Sequence, residues 1–478
     1  MQGATAENSP AGQSARSAEN ISSEQLIARL REIVGPQGLL TGDDVRARPN
    51  QSWGRGSCPA RAIVRPASTQ EVSEVMRLCH ELKQPVVPWG GLTGLVDGIS
   101  CSENDVVLSV ERMNDIEHID AEAGILTAQS GAVLEAVQTA AEAEDWLFAV
   151  DLGARGSANI GGLISTNAGG NGVIRYGMMR EQVLGLEVVL ADGTVISSMN
   201  EMLKNNTGYD LKQWFIGSEG TLGIVTRAVL RLRPLPRAVQ TGFVALNSFA
   251  DVVRLLKRLG TDLEGRLSAF EVMWRNHYHF LTEESGKHQA VVSAEYPYYV
   301  LLESSGADAA AEEERFMELL GALMEEGTVA DAVVCQTSQQ AKNLWAMRDD
   351  VETLMHATAP PAVFDISLPI REMEGYIDRL EVALAEQFPG IRLMVFGHLG
   401  DGNLHLGIGP AHDRHAVETL VYEGLEAVGG SVSAEHGIGL EKRDFLSHSR
   451  SPAELALMRS IKDALDPSGI LNPGKIFS

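Results

Sequence analysis

The chain has 478 residues, 44% of them apolar, and a formal net charge of −25. That is room for two or three domains. No apolar run approaches a membrane span, and the acidic balance argues against nucleic acid and anionic membrane surfaces as partners. An anionic substrate stays open, because the local field of a site can oppose the global one. Cys58, Cys79, Cys101 and Cys335 show no CxxC spacing. This argues against a disulfide framework or a cysteine metal site and gives an expected cytoplasmic location.

In chain order, residues 1–20 are small and polar without a hydrophobic segment, and read as a disordered tail rather than a signal or transit peptide. Ser23 to Val34 forms an amphipathic helix with Ser23 as N-cap. From Arg61, short β runs and helices interleave: strands at Ala62-Ile63-Val64, Val86-Val87, Val106 to Ser109 and Ile125 to Ala128, with helices over Ser68 to Leu82 and Gly131 to Ala143. Leu186 to Ile196 is a hairpin on Asp192-Gly193. The pattern is α+β. Pro234 and Pro236 mark a domain boundary. Beyond them, β runs between Phe243 and Glu303 alternate with a helix near Phe249 to Leu259. Helices follow over Ala307 to Glu326, Ser338 to His356 and Ile370 to Phe388, with a strand at Val363 to Leu368. This half reads as an antiparallel sheet covered by helices. Ile461 to Phe477 is a short helix and a Pro- and Gly-punctuated tail.

Three glycine-rich stretches organise the first half. Asp151 to Gly177 carries seven glycines before Tyr176, mixed with Ser157, Ser165, Thr166 and Asn167. Dense glycine costs backbone entropy; one reason to bear it is a large ligand lying against exposed main-chain N–H groups. The apolar anchors Ile160, Leu163, Ile164, Val173 and Ile174 distinguish it from a flexible linker. Pro88 to Gly98 follows the strand at Val86, and Phe215 to Thr226 adds three glycines and Glu219. Neither a Walker loop nor a dinucleotide fingerprint is present.

The order and spacing of these stretches resemble the FAD-binding domain of the vanillyl-alcohol oxidase / p-cresol methylhydroxylase flavoprotein family. The resemblance implies that the first loop holds the FAD pyrophosphate and the second lines the cofactor. The implied contacts are Pro88, Gly90, Gly91, Thr93 and Gly94; Asp151, Gly156, Ser157, Gly161, Gly162, Asn167, Gly169, Tyr176 and Gly177; and Glu219, Gly220, Gly223 and Ile224. Trp89 and Leu92 replace the Arg and Gly usual in the first loop. Neither loop carries a histidine, so the FAD is expected to be non-covalent.

A second chemical centre lies at Phe396 to Ile408. Gly400-Asp401-Gly402-Asn403 is a hairpin turn signal, and paired strands about 4.8 Å apart let His398 and His405 converge on one ion. The plainer alternative is that each histidine bonds a turn carbonyl. Downstream, Glu435-His436 sits among small residues. His398, His405 and Glu435 make a two-nitrogen, one-oxygen set with open positions. That is a catalytic metal site, with zinc first and manganese or iron as alternatives. His436, with a reference pKa of about 6.5, is left as general base.

GHLGDGNLH, SAEHGIGLEKR and LDPSGILNPGK, in that order, resemble the D-lactate / D-2-hydroxyglutarate dehydrogenase branch of the same family, from Arg61 to the C-terminus. The resemblance implies an FAD-binding domain over 21–236, a substrate cap over 237–455 carrying the metal site, and 456–478 completing the FAD domain. It places His398, His405 and Glu435 on metal ligands, His436 on the base, Arg348 on the substrate carboxylate and Asn472 at a flavin-facing position. The implied reaction moves hydride from C2 of a D-2-hydroxy acid to flavin N5. Electrons then pass to an electron-transfer flavoprotein, a quinone or a cytochrome. Homodimer formation is left open. The dicarboxylate enzymes have Thr and Lys where this chain has Glu352 and Val363. The expected substrate is therefore a D-lactate-like monoacid, with a D-2-hydroxyglutarate dehydrogenase or a glycolate oxidase subunit-like enzyme as alternative. Arg275 or Lys442 would have to supply the missing cation. A flavin-free metal-dependent hydrolase and a non-catalytic binding module are the rival classes.

Overall fold

A computed structural model describes residues 21–477, so the tail expected over 1–20 lies outside the described residues. The first helix, Ser23–Val34, is capped by Ser22 rather than Ser23: its hydroxyl accepts from the Gln25 N–H while the Gln25 side chain accepts from the Ser22 N–H. A four-stranded sheet follows. Strands Ala62–Val64, Val106–Ser109 and Val86–Trp89 run parallel in that order, with Thr69–Leu82 as the crossover helix. Their near-continuous Val and Ile runs suit strands covered on both faces. The C-terminal segment completes this sheet: Val86 N–H donates to Ile470 O, and Asn472 N–H to Val86 O. Lys475 reaches back to donate to the Ser100 carbonyl at 2.6 Å.

A five-stranded antiparallel sheet carries the expected hairpin, Val183–Val189 with Val195–Ser198. Against it packs a short helix, Ile160–Thr166, inside the stretch read from sequence as a ligand-lining loop. Asn159 caps it by accepting the Gly162 N–H at 3.0 Å. Gly161 is required there, because a Cβ would stand 2.6 Å from the Ser130 Cβ.

The second half is a seven-stranded antiparallel sheet. Its spatial order is Asp331–Val334, Ala238–Leu246, Tyr298–Gly306, Leu267–Trp274, Arg392–His398, Asn403–Gly409, Ala362–Ser367. Alternation at period two sorts its side chains. Val244, Leu246, Val272 and Phe364 join a core with helices Phe249–Asp262, Ala309–Glu325, Ile370–Gln387 and Arg414–Glu426. Phe243, Ala245, Met273 and Phe396 face the other way, toward Leu344, Met347 and Leu354. Arg175 ties the two halves together, donating to the Ser305 carbonyl at 2.7 Å.

One helix differs from expectation. The run Ser338 to His356 is two helices, Ser338–Arg348 and Val351–Ala357. Asp350 makes the break. Its carboxylate accepts the Thr353 N–H at 3.1 Å as an N-cap and pairs with Lys287 and His288 at 3.0 and 2.8 Å. Glu352 therefore does not share a helix face with Arg348, and its side chain is 82% exposed. Asp350→Ala is expected to cost about 1–2 kcal/mol of stability from the lost cap, read by urea unfolding. Burial pushes the Asp350 carboxyl up, but His288, Lys287 and Thr353 outweigh it and hold its pKa at about 2. A depressed carboxyl stabilises above its unfolded pKa. The difference between wild type and variant should therefore persist at neutral pH and fade as pH falls toward about 2.

Candidate active site

A cavity of about 600 Å³ lies where the two halves meet. Its walls include the loop after Val86–Trp89, the short helix Ile160–Thr166, the turn at Glu219 to Ile224, and the ends of the hairpin Arg392–His398 and Asn403–Gly409. Pro88, Gly90, Gly91, Thr93, Gly94, Gly161, Gly162, Gly169, Glu219, Gly220, Gly223, Ile224 and Asn472 all line it, as do Arg348, His398, His405, Glu435 and His436. Asp151, Gly156, Ser157, Asn167, Tyr176 and Gly177 do not. Asp151 lies behind the wall, pairing with Arg155 at 3.1 Å and accepting from the Asn171 N–H through its carbonyl. Asn167 ends the short helix in a left-handed conformation and accepts the Arg180 N–H at 2.9 Å. Ser157 acts through its carbonyl, against which Gly91 is pressed so closely that a Cβ would overlap it.

The cradle fits a large flat cofactor. Gly94 faces open space, with nothing within 4 Å of a would-be Cβ. Asn472 is buried; its side-chain N–H donates to the Glu219 carbonyl at 2.8 Å, while its Oδ1 has no partner among the described residues. That acceptor suits a ring N–H of a bound flavin. The Glu219 carboxylate is committed elsewhere: it accepts the N–H groups of Ile438 and Gly439, each at 2.7 Å.

At the other end, Glu271, Arg348 and His398 open the histidine cluster. Glu271, 1% exposed, accepts from Arg348 at 2.7 and 2.9 Å and bonds His398 Nδ1 at 2.8 Å. Burial pushes the Glu271 carboxyl up, but Arg348 and His398 outweigh it and hold it below the usual range. Burial likewise disfavours protonated His398, and Glu271 reverses that. Arg348 also donates to Asp349 at 3.1 Å and lies 3.0 Å from His398 Nε2. His398, His405 and Glu435 offer ligand atoms all within 4.8 Å of one another. Burial pushes His405 well below its ordinary value, disfavouring the charged imidazolium. Glu435 also accepts the Gly170 N–H at 3.1 Å, so it touches the second glycine-rich segment directly.

Sequence reasoning missed two residues, Glu271 and Asp365. Asp365 is fully buried, and its Oδ2 accepts the N–H groups of Ala434, Glu435 and His436 at 3.2, 2.9 and 2.9 Å, with Lys442 at 3.5 Å. Each acid is the one charged residue of its strand, and that was the available signal, since unpaired carboxylates are almost never fully buried. Glu271, Asp365 and Glu435 face two fixed cations, Arg348 and Lys442, in this cluster. A bound divalent cation fits the donor set.

The chain covers 95% of itself against 96% of a solved p-cresol methylhydroxylase with substrate bound, at 16% identity and a TM-score of 0.74. An alkyldihydroxyacetonephosphate synthase gives 96% and 87% coverage, 16% identity and a TM-score of 0.74. In sequence, residues 60–198 match the family described as "FAD binding domain", and residues 235–476 match "FAD linked oxidases, C-terminal domain". D-2-hydroxyglutarate dehydrogenase, mitochondrial, of Bos taurus is 39% identical over 96% of this chain and 84% of that protein. D-2-hydroxyglutarate dehydrogenase of Stutzerimonas stutzeri is 36% identical over 95% and 99%. A putative D-lactate dehydrogenase, mitochondrial, of Schizosaccharomyces pombe is 34% identical over 95% and 90%.

The chain belongs to the FAD-linked oxidase family, in its D-2-hydroxyglutarate / D-lactate dehydrogenase branch. The expected cytoplasmic location is overturned, since the Bos taurus and Schizosaccharomyces pombe relatives are named as mitochondrial. Acidic composition and unpaired cysteines carry no address. No helix among the described residues is long and apolar enough to cross a membrane.

Gly91→Ala is expected to push the first loop off the Ser157 carbonyl. An overpacking cost of about 1–3 kcal/mol corresponds to a roughly tenfold to hundredfold loss of flavin affinity. Titrating flavin-stripped protein with FAD measures it.

Proposed function

We propose that this FAD-linked dehydrogenase oxidises a D-2-hydroxy acid bearing a single carboxylate to the 2-oxo acid, with a divalent metal, zinc by its donor set, held by His398, His405 and Glu435. When bound, the metal supplies a Lewis acid for the substrate 2-hydroxyl and the flavin supplies the acceptor for hydride from C2. His436 takes the hydroxyl proton. Burial lowers its proton affinity against the opposing pull of Asp365, favouring the neutral form that can accept one. Arg348 holds the substrate carboxylate, and Glu271 fixes its guanidinium and the ring of His398 at once.

The observation that supports a monoacid is the charge of the cavity wall. Among the described residues, Arg348 is the one lysine or arginine lining it, and it is already paired with Glu271 and Asp349. Val351, Leu354 and Val363 supply apolar wall instead. Lys442 is buried against Asp365, and Arg275 pairs with Glu295 at 2.6 Å. A second substrate carboxylate would enter without a free cation, which is costly. The exposed Glu352 takes no part in this; Asp349 carries the negative charge beside Arg348. The names of the Bos taurus and Stutzerimonas stutzeri relatives favour a dicarboxylate as the second reading.

With one artificial acceptor, kcat/KM for D-lactate or D-2-hydroxybutyrate is expected to exceed that for D-2-hydroxyglutarate. A preference of tenfold or more for the dicarboxylate, about 1.4 kcal/mol in transition-state binding, would overturn the monoacid reading. His436→Ala is expected to slow substrate reduction of the flavin by about 10²–10⁴-fold with little change in substrate KM, read by stopped-flow absorbance.

A further inference from the structure

The pair Glu435–His436 poses a geometric problem. Successive residues of an extended chain point to opposite faces, yet both of these line the same cavity. Asp365 resolves it. Three consecutive N–H groups, those of Ala434, Glu435 and His436, converge on its single Oδ2, and the Ser433 hydroxyl adds a fourth donor at 3.2 Å. Consecutive main-chain donors reach one oxygen only when the backbone curls into a concave nest around the anion. Gly437, at φ +86, lets the chain leave that turn.

The carboxylate belongs to a strand that opposes the metal hairpin: Asp365 stands across from His405 in the Ala362–Ser367 / Asn403–Gly409 register. It also lies 3.8 Å from His436 Nδ1. One fully buried side chain thus lies within 4.8 Å of the ring nitrogens of His405 and His436 and holds the turn that bears the second ligand.

We propose that Asp365 is the positioning residue of the reaction centre, curling residues 434–436 so that Glu435 and His436 reach the cavity together. This rests on the reading of those two side chains as metal ligand and proton acceptor. The competing role is plain charge balance for Lys442, whose buried ammonium lies 3.5 Å from Asp365.

A paired variant separates the two. Asp365→Ala alone would strand the Lys442 charge and risks failing to fold. Asp365→Ala with Lys442→Met removes anion and cation together. If Asp365 positions, the double variant keeps its FAD and melts close to wild type, but amide hydrogens of residues 434–436 exchange faster. Its holoenzyme then binds Zn²⁺ about 10–100-fold more weakly, the usual loss when a residue orienting a metal ligand is removed, and the fall in kcat exceeds any rise in KM. Restoring an acceptor, as Asp365→Asn with Lys442→Met, recovers part of the amide protection and zinc affinity. Wild-type amide protection and zinc affinity in the Ala/Met variant would overturn the proposal and reduce Asp365 to a counter-ion. Wild-type protein that binds no Zn²⁺ and is bleached by no D-2-hydroxy acid would overturn the functional reading instead; the exchange measurement still reports on the turn.

Discussion

Everything at the centre of this molecule depends on how one loop is held. Residues 434–439 hang between two carboxylates from opposite halves of the chain. Asp365, on the seven-stranded sheet, takes the N–H groups of 434, 435 and 436; Glu219, from the flavin half, takes those of 438 and 439. Charge-assisted bonds of this kind are shorter and stronger than neutral ones, and they leave little freedom in the backbone. Because Asn472 donates to the Glu219 carbonyl and Gly170 donates to Glu435, the flavin cradle and the histidine cluster share one frame. Hydride transfer demands a fixed distance between substrate carbon and cofactor, and a shared frame is the direct way to fix it.

The same region concentrates buried charge. Glu271, Arg348 and His398 form one group; Asp365 and Lys442 form another. Such pairs are poor sources of stability, since desolvation consumes most of the attraction, but losing one partner is severe, typically about 3–5 kcal/mol. They hold a geometry more than they hold the fold. The fold is carried by the apolar cores on either face of the large sheet and by the packing of both smaller sheets.

Much of this was legible in the sequence. The glycine-rich stretches announced a ligand against the main chain, and the turn between His398 and His405 announced a converging pair. Asp365 and Glu271 stayed hidden because their partners are remote. Asp365 meets His436 71 positions later and Glu271 meets His398 127 positions later, so no local spacing marks them. The break at Asp349–Asp350 was hidden for the opposite reason: a local cap overrode a helical pattern that continued on both sides. That break removed Glu352 from the cavity, and the substrate argument then moved to Asp349 and the bare apolar wall. Several glycine-stretch residues, Asp151 and Asn167 among them, lie behind the cavity wall rather than on it.

The C-terminal segment that closes the first sheet has a consequence for synthesis. Lys475 bonds Ser100 from 375 residues away, and Asn472 reaches Glu219 across 253. Contacts of such long range form slowly, because loop closure precedes any reward. On the ribosome, the flavin half emerges first and cannot be finished until the last residues follow. Through all that time its parallel strands and open cradle stay exposed to wrong partners, which makes this half the aggregation-prone stage of biogenesis.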